Sequence, residues 1–324
     1  MTRWLPAWQP LRQGDLVDVI APASAACDAA LEAGLAVLRS WGLRLRVPAD
    51  LMRPDPFFAN EDTIRWQHLR TALKAQDSSA IWCARGGVGC IRLVPRLSRM
   101  ARPARAKPLI GFSDISVLLL ALDAWRWTPV HGPVLTQLAS THPGLGSGQT
   151  KLVRDLLFAR MGGLSFPGLR PLNDAARAAQ SVRGSLSGGN LTTLQTLCGS
   201  PIQLRGRKRI VFFEDVNERG YQIDRMLSAM LNAGAFKGAA AVVFGQFLND
   251  KESGGRGYAP LAMENFAGRV RFPVFAGLKM GHGPYLPPMV LGVPAKIVSS
   301  GGKRGAGRWT LRMSLKEVDA LEPP

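Results

Sequence analysis

Four residue types in this chain could carry chemistry: a serine at a corner, two histidines among glycines, an acid at a strand end, and a glycine pair. Ser113 lies in Lys107–Leu122 (KPLIGFSDISVLLLAL), which reads as a short apolar strand, a turn at Gly111 and an apolar helix. A serine at such a corner stands out from the backbone, with the first free N–H groups of the helix beside it. It is then either a nucleophile or an ordinary helix cap. The G-x-S-x-G elbow is incomplete, because Ile115 stands at the second glycine position.

Of the four histidines, His68 falls within a helical pattern and His142 within a Gly/Pro-rich stretch. His282 follows a strand and sits between Gly281 and Gly283, where the backbone can bring an imidazole close to another group. His131, followed by Gly-Pro, is a second candidate for lining a pocket. Glu214 ends the apolar strand IVFF and could orient a histidine, although Asp215 and Glu218 compete for that role. Gly86 and Gly87 lie in an RGGVG loop after a strand. The loop has neither the P-loop lysine nor the dinucleotide glycine spacing. It is either a plain turn or a pair of backbone N–H groups for an oxyanion.

These residues need elements to hold them. Apolar strands at Leu16–Ile20, Ala80–Ala84, Pro108–Ile110 and Pro129–Val130, with an alternating apolar/basic strand at Leu43–Val47, are interspersed with helical patterns at Ala29–Trp41, from Asn60 to Gln76, after Gly89, and over Ile115–Leu122. That alternation predicts a doubly wound parallel sheet, with ligands at the C-terminal ends of strands. Residues 146–183, rich in Gly, Pro, Arg and Ala, read as a connection with one helix at Gln149–Met161. Beyond it, Gly188–Leu191 reads as a tight turn into a helix. Strands follow at Arg209–Phe213, Ala239–Phe247, Pro273–Leu278, Met289–Val298 and Trp309–Met313, with helices at Tyr221–Leu231 and Leu261–Arg269. The expected organisation is 1–145 as a flavodoxin-like domain, 146–183 as a connection and 184–324 as a smaller α/β domain.

Composition narrows the function classes. At 324 residues with 46% hydrophobic and 20% charged content, the chain can bury a substantial core. No apolar run reaches the roughly 18–20 residues of a bilayer span, and the first residues hold no signal-peptide pattern. The expected location is therefore cytoplasmic, without a membrane partner. Four cysteines without metal-ligand spacing read as reduced structural thiols. The net charge of +18 is concentrated in Arg92–Lys107, Arg205–Arg209 and Lys303–Arg308. Without a recognisable nucleic-acid motif or aromatic interleaving, these runs read chiefly as solvated faces.

Seven stretches stand together in a telling order: GDLVDVIAPAS, ARGGVGCIRLVPRL, PLIGFSDISVLLLAL, VHGP, GGNLTTL, FFEDVNERGYQIDRML and GHGPYLPPMVLGVPA. In order and spacing the chain resembles the LD-carboxypeptidase family, serine peptidases that include muramoyltetrapeptide carboxypeptidases and microcin C self-immunity peptidases. The resemblance implies an N-terminal flavodoxin-like domain and a C-terminal swivelling α/β domain. It implies Ser113 as nucleophile, His282 as base and Glu214 as the carboxylate orienting it, with backbone N–H groups of Gly86, Gly87 and Asp114 as the oxyanion hole. It implies no metal and no cofactor, a small murein peptide as substrate, and room for a homodimer. Arg85 and Arg225 are candidates by position for holding the substrate's terminal carboxylate. Val88 departs from the family, which often has an aromatic residue there. The expected activity is release of terminal D-alanine from murein tetrapeptide. The alternatives are a peptidyl-nucleotide self-immunity peptidase and a non-catalytic protein binding anions or nucleic acid.

Overall fold

A computed structural model of the chain describes residues 3–53, 55–139, 147–252, 254–299 and 308–317. In chain order the first elements are β1 (Leu16–Ile20), α1 (Asp28–Ser40), β2 (Arg44–Arg46), α2 (Asp62–Lys74), β3 (Ala80–Cys83), α3 (Val94–Ser98), β4 (Leu109–Gly111), α4 (Ser116–Ala124), β5 (Val130–His131), α5 (Leu135–Leu138) and α6 (Ser147–Leu157). There follow β6 (Gly163–Pro171), α7 (Asp174–Ala178), β7 (Ser181–Asn190), α8 (Leu191–Gln195), β8 (Arg209–Val216), α9 (Gly220–Asn232), β9 (Ala241–Leu248), α10 (Ala259–Gly268), β10 (Val274–Ala276), β11 (Met289–Val290), β12 (Pro294–Ser299) and β13 (Trp309–Ser314).

The chain forms two units of equal length: Pro6–Met161 with Leu286–Leu291, and Met1–Leu5 with Gly162–Tyr285 and Gly292–Pro324. The first holds a six-stranded sheet in the order β11-β5-β4-β3-β1-β2. All its pairings are parallel except β11 against β5. This is the doubly wound order expected of a flavodoxin-like sheet, with one antiparallel edge strand added. Buried Val17, Val19, Ile81, Trp82, Leu109 and Ile110 run through its middle, as in a sheet covered on both faces.

The second unit is a closed seven-stranded barrel, β10-β6-β13-β12-β7-β8-β9. Its interior carries the inward residues of alternating strands, such as Ala295 and Ile297 on β12 and Trp309, Leu311 and Met313 on β13. Phe213, Phe236, Phe244, Phe266 and Phe272 pack ring to ring beside β8 and β9 at centroid separations of 5.1–6.4 Å.

Three sequence expectations change. The stretch 146–183 is not mainly connection: it contains α6, all of β6, α7 and the start of β7. Gly188 and Gly189 are not a turn but the last part of β7. A Cβ at Gly188 would stand 2.0 Å from the Phe212 carbonyl oxygen, so only glycine lets β8 approach. Finally, Met289–Val298 is two strands. β11 pairs with β5 in the first sheet, and β12 pairs with β7 and β13 in the barrel. Gly292, at φ +82°, breaks the run between them.

Candidate active site

Ser113 is placed by the way β4 ends. After Gly111 the chain is extended at Phe112 and then turns sharply at Ser113, whose φ is +60°. A left-handed conformation in a residue with a Cβ costs about 1–3 kcal/mol and is kept only where the surroundings fix it. A 3-10 turn over Ser113–Ile115 leads into α4 at Ser116, so the helix begins later than its sequence pattern suggests. The N-cap positions of these two segments are Phe112 and Ile115. Gly111 must be glycine, since a Cβ there would meet Ile115 at 2.8 Å.

The loops after β1 and β3 close around this turn. A Cβ at Gly86 would stand 3.0 Å from the Ser113 Cβ and 3.4 Å from its Oγ, so the Gly86 backbone packs against the serine side chain. Gly87 is at φ +109°, with Ser24 pressed against it. The Ser24 amide donates to the Gly86 carbonyl at 3.2 Å, and the Val88 amide donates to Ser24 Oγ at 3.1 Å. Arg85 is exposed and donates from Nη1 to the Ala25 carbonyl at 2.7 Å. Asp114 turns its carboxylate inward and accepts the Cys90 amide at 2.8 Å. Burial raises the Asp114 pKa, against the lowering effect of that amide. His131 is wholly buried, not a pocket wall open to solvent. Its ring stands edge-on to Phe112 at 6.0 Å, and its backbone pairs with Gly111.

Glu214 and His282 belong to the barrel unit. Glu214 is fully buried near the end of β8, opposite Asn190 of β7. The pairing of β8 with β9 slips here: Phe213 faces Phe244, but Asp215 faces Phe247. The extra β9 residue, at Gly245–Gln246, forms a bulge opposite Glu214, and bulges re-aim side chains. The Gln246 amide donates to the Met280 carbonyl at 2.8 Å, which draws the Met280–Gly283 loop against the bulge. Gly281, at φ +153°, has no room for a side chain: its Cβ would stand 3.0 Å from Gln246 Cβ and 3.4 Å from Glu214 Cβ.

The result is a short contact, His282 Nδ1 to Glu214 Oε2 at 2.6 Å. A carboxylate can only accept, so Nδ1 carries the proton, and in the neutral ring Nε2 keeps its lone pair. Burial pushes the His282 pKa down, but the hydrogen bond to Glu214 and the charges of Glu214 and Asp215 outweigh it and raise the pKa overall.

Asp215, a rival for the same task in the sequence, is committed elsewhere. It accepts from Asn190 Nδ2 at 2.9 Å, from the Thr192 amide and hydroxyl at 2.8 Å each, and from the Val216 amide at 2.9 Å. It thereby anchors the start of α8. Burial, and then the charge of Glu214, push it up to about 6. Glu218 is half-buried beyond the end of β8.

Both halves of this arrangement match one family. The LD-carboxypeptidase N-terminal domain matches residues 17–132, and the LD-carboxypeptidase C-terminal domain matches residues 183–297. The chain belongs to the LD-carboxypeptidase family. A murein tetrapeptide carboxypeptidase of Pseudomonas aeruginosa is 31% identical over 278 residues, spanning 85% of this chain and 90% of its own. Two solved structures share the fold. A muramoyltetrapeptide carboxypeptidase from Oxalobacter formigenes gives a TM-score of 0.75 at 24% identity, covering 92% of this chain and 98% of its own. MccF in complex with glutamyl sulfamoyl guanosine gives 0.79 at 18% identity, covering 95% and 98%.

Arg225 is exposed on α9 and lies over the Tyr221 ring at 5.8 Å. His68 bonds Asp50 at 2.9 Å, and His142 lies outside the described residues. A cavity of about 490 Å³ lined by Trp8, Arg12, Ser79 and Arg105 opens where the strands of the first sheet begin, at the edge away from Ser113. Among the described residues no cluster of His, Cys, Asp and Glu could hold a metal ion, and no helix is long and apolar enough to cross a membrane. The sequence patterns did not show the Asp114–Cys90 tie or the β9 bulge. Gly245 in an apolar strand was the available signal for the bulge.

Proposed function

We propose that the protein is a serine carboxypeptidase that hydrolyses the L,D amide bond of murein tetrapeptide and releases terminal D-alanine. The observation that carries this reading is the His282–Glu214 pair. Its 2.6 Å contact fixes the tautomer a general base needs, with the acid fully buried. The left-handed corner at Ser113, with Gly86 against it, supports the same reading from the first unit.

In this mechanism His282 Nε2 takes the Ser113 proton as Oγ attacks the amide carbonyl. The oxyanion is received by backbone N–H groups of Gly86, Gly87 and Asp114, each such donor typically supplying about 10²–10³ in rate. The intermediate collapses, and D-alanine leaves with the proton held by His282. Water, deprotonated by His282, then cleaves the Ser113 ester. Glu214 holds the imidazole and stabilises its cation. Arg85 and Arg225 remain the candidates for the terminal carboxylate of the substrate. No step calls on a metal or cofactor.

Likeness in fold to MccF keeps a second substrate class in view, an aminoacyl sulfamoyl nucleoside. The discriminating experiment offers L-Ala-D-Glu-meso-diaminopimelate-D-Ala and an aminoacyl sulfamoyl adenosine in parallel, following amine release by mass spectrometry. D-Alanine release with the nucleoside left intact is the expected result. Cleavage of the nucleoside alone would move the substrate while leaving the serine mechanism in place.

A further inference from the structure

One side of the barrel carries charge that the proposed peptidase reaction does not use. In the sheet register Lys296 of β12 is directly opposite both Arg183 of β7 and Arg312 of β13. Adjacent strands lie about 4.8 Å apart, so three cations form one row across three strands. Like charges directly opposite destabilise a sheet. Nothing on these strands relieves them, for β6, β7, β12 and β13 contain no Asp or Glu. Arg170 on β6 has Glu264 at 4.0 Å. Arg183, Lys296 and Arg312 have no carboxylate partner among the described residues. Arg183 and Arg312 are exposed and Lys296 is half-buried.

The face around the row is mostly polar, although Pro167, Pro294 and the half-buried Val298 also lie on it. Ser165, Ser181, Ser185, Thr310 and Ser314 share it, while Phe166, Trp309 and Leu311 point inward. Hydroxyls and guanidinium groups are the usual donors to phosphate oxygens. Among the described residues of this face, no outward aromatic or leucine is there to enter a lipid interface, nor an exposed ring to stack on unpaired bases. The row is also remote from Glu214. Glu214 is level with Asn190, and Arg183 lies seven residues back along β7, about 23 Å at strand rise. A net charge of +18 adds a long-range pull on any polyanion.

We infer that this face docks the phosphodiester backbone of a nucleic acid duplex without reading its bases. Arg183, Lys296 and Arg312 each neutralise a phosphate, and the flanking hydroxyls bond its oxygens. This surface is independent of the peptidase reading.

The test is fluorescence anisotropy of a labelled DNA duplex titrated with the full chain across a salt series. The R183E/K296E/R312E variant should bind at least about tenfold more weakly at low salt. Its log K against log salt slope should be flatter by about 2.7, for three lost phosphate contacts. A control variant, R96E/R99E/R102E, removes as much charge from the first unit and should change both far less. K296E alone places an acid between two arginines. It should raise the melting temperature while weakening binding, which a misfolded variant could not do. Wild-type protein that ignores the duplex at about 50 mM salt would overturn the inference. So would a loss confined to the control variant, or tighter binding to phosphatidylglycerol vesicles than to the duplex.

Discussion

The Asp114 carboxylate accepts the Cys90 amide at 2.8 Å, which ties the turn that carries Ser113 to the turn that follows Gly86 and Gly87. The proposed nucleophile and the proposed oxyanion donors are thus linked through a buried hydrogen bond. Asp114→Ala should lower kcat by about 10²-fold, the scale of a misplaced reacting group, with KM little changed. An orphaned buried amide should also cost about 1–3 kcal/mol of stability. Asp114→Asn keeps an acceptor oxygen and should recover most of both. Steady-state kinetics and thermal melting of the two variants check this, and equal loss in both would contradict it.

Gly86→Ala probes the approach to the serine without altering a left-handed backbone, because Gly86 is not among the positive-φ glycines. Its new methyl group would stand 3.0 Å from Ser113 Cβ and 3.3 Å from the Phe112 carbonyl oxygen. Activity should fall by at least about tenfold, while overpacking costs about 1–3 kcal/mol. A fully active variant would show that the serine has room to spare.

His282 must be neutral to act as a base. Its pKa is raised by Glu214 and Asp215 against the effect of burial, so the acid limb of kcat/KM should lie above the ordinary histidine value of 6.5. Glu214→Gln removes the charge and weakens the hydrogen bond. The limb should move to lower pH while kcat falls by several orders of magnitude. A limb that stays in place would assign it to another group.

Asp215 is pushed up to about 6 from 3.8. Between those values the folded chain binds more protons at this site than the unfolded chain, so its contribution to stability falls as pH rises. The difference in melting temperature between wild type and Asp215→Ala should shrink from pH 4 to pH 6. A difference that grows over that window would reverse the sign.

Much of the first sheet was legible, because β1, β3 and β4 are short apolar runs and α1 has the expected helical spacing. β1, β3 and α1 lie within a residue or so of their sequence patterns. The barrel was harder to read. β6, with two glycines and two prolines in nine residues, resembles a loop until its pairing with β13 is seen. Gly188 and Gly189 read as a turn because glycine is the usual turn residue, whereas here it admits a neighbouring backbone. In Met289–Val298, apolarity is common to both sheets, so nothing local announced that the chain changes sheet at Gly292. Glu214 and His282 were legible as candidates from strand end and flanking glycines. Strand position alone left Glu214 and Asp215 as rivals and only the family resemblance favoured Glu214; in the structure the bulge and four donors from β7, α8 and β8 separate the two.

The most direct test of the peptidase reading is an assay of free D-alanine from L-Ala-D-Glu-meso-diaminopimelate-D-Ala, with wild type, EDTA-treated wild type and Ser113→Ala side by side. Release should survive EDTA and fall to background in the variant. Release that continues undiminished in Ser113→Ala would contradict the serine mechanism, since the left-handed corner at Ser113 would then present no nucleophile.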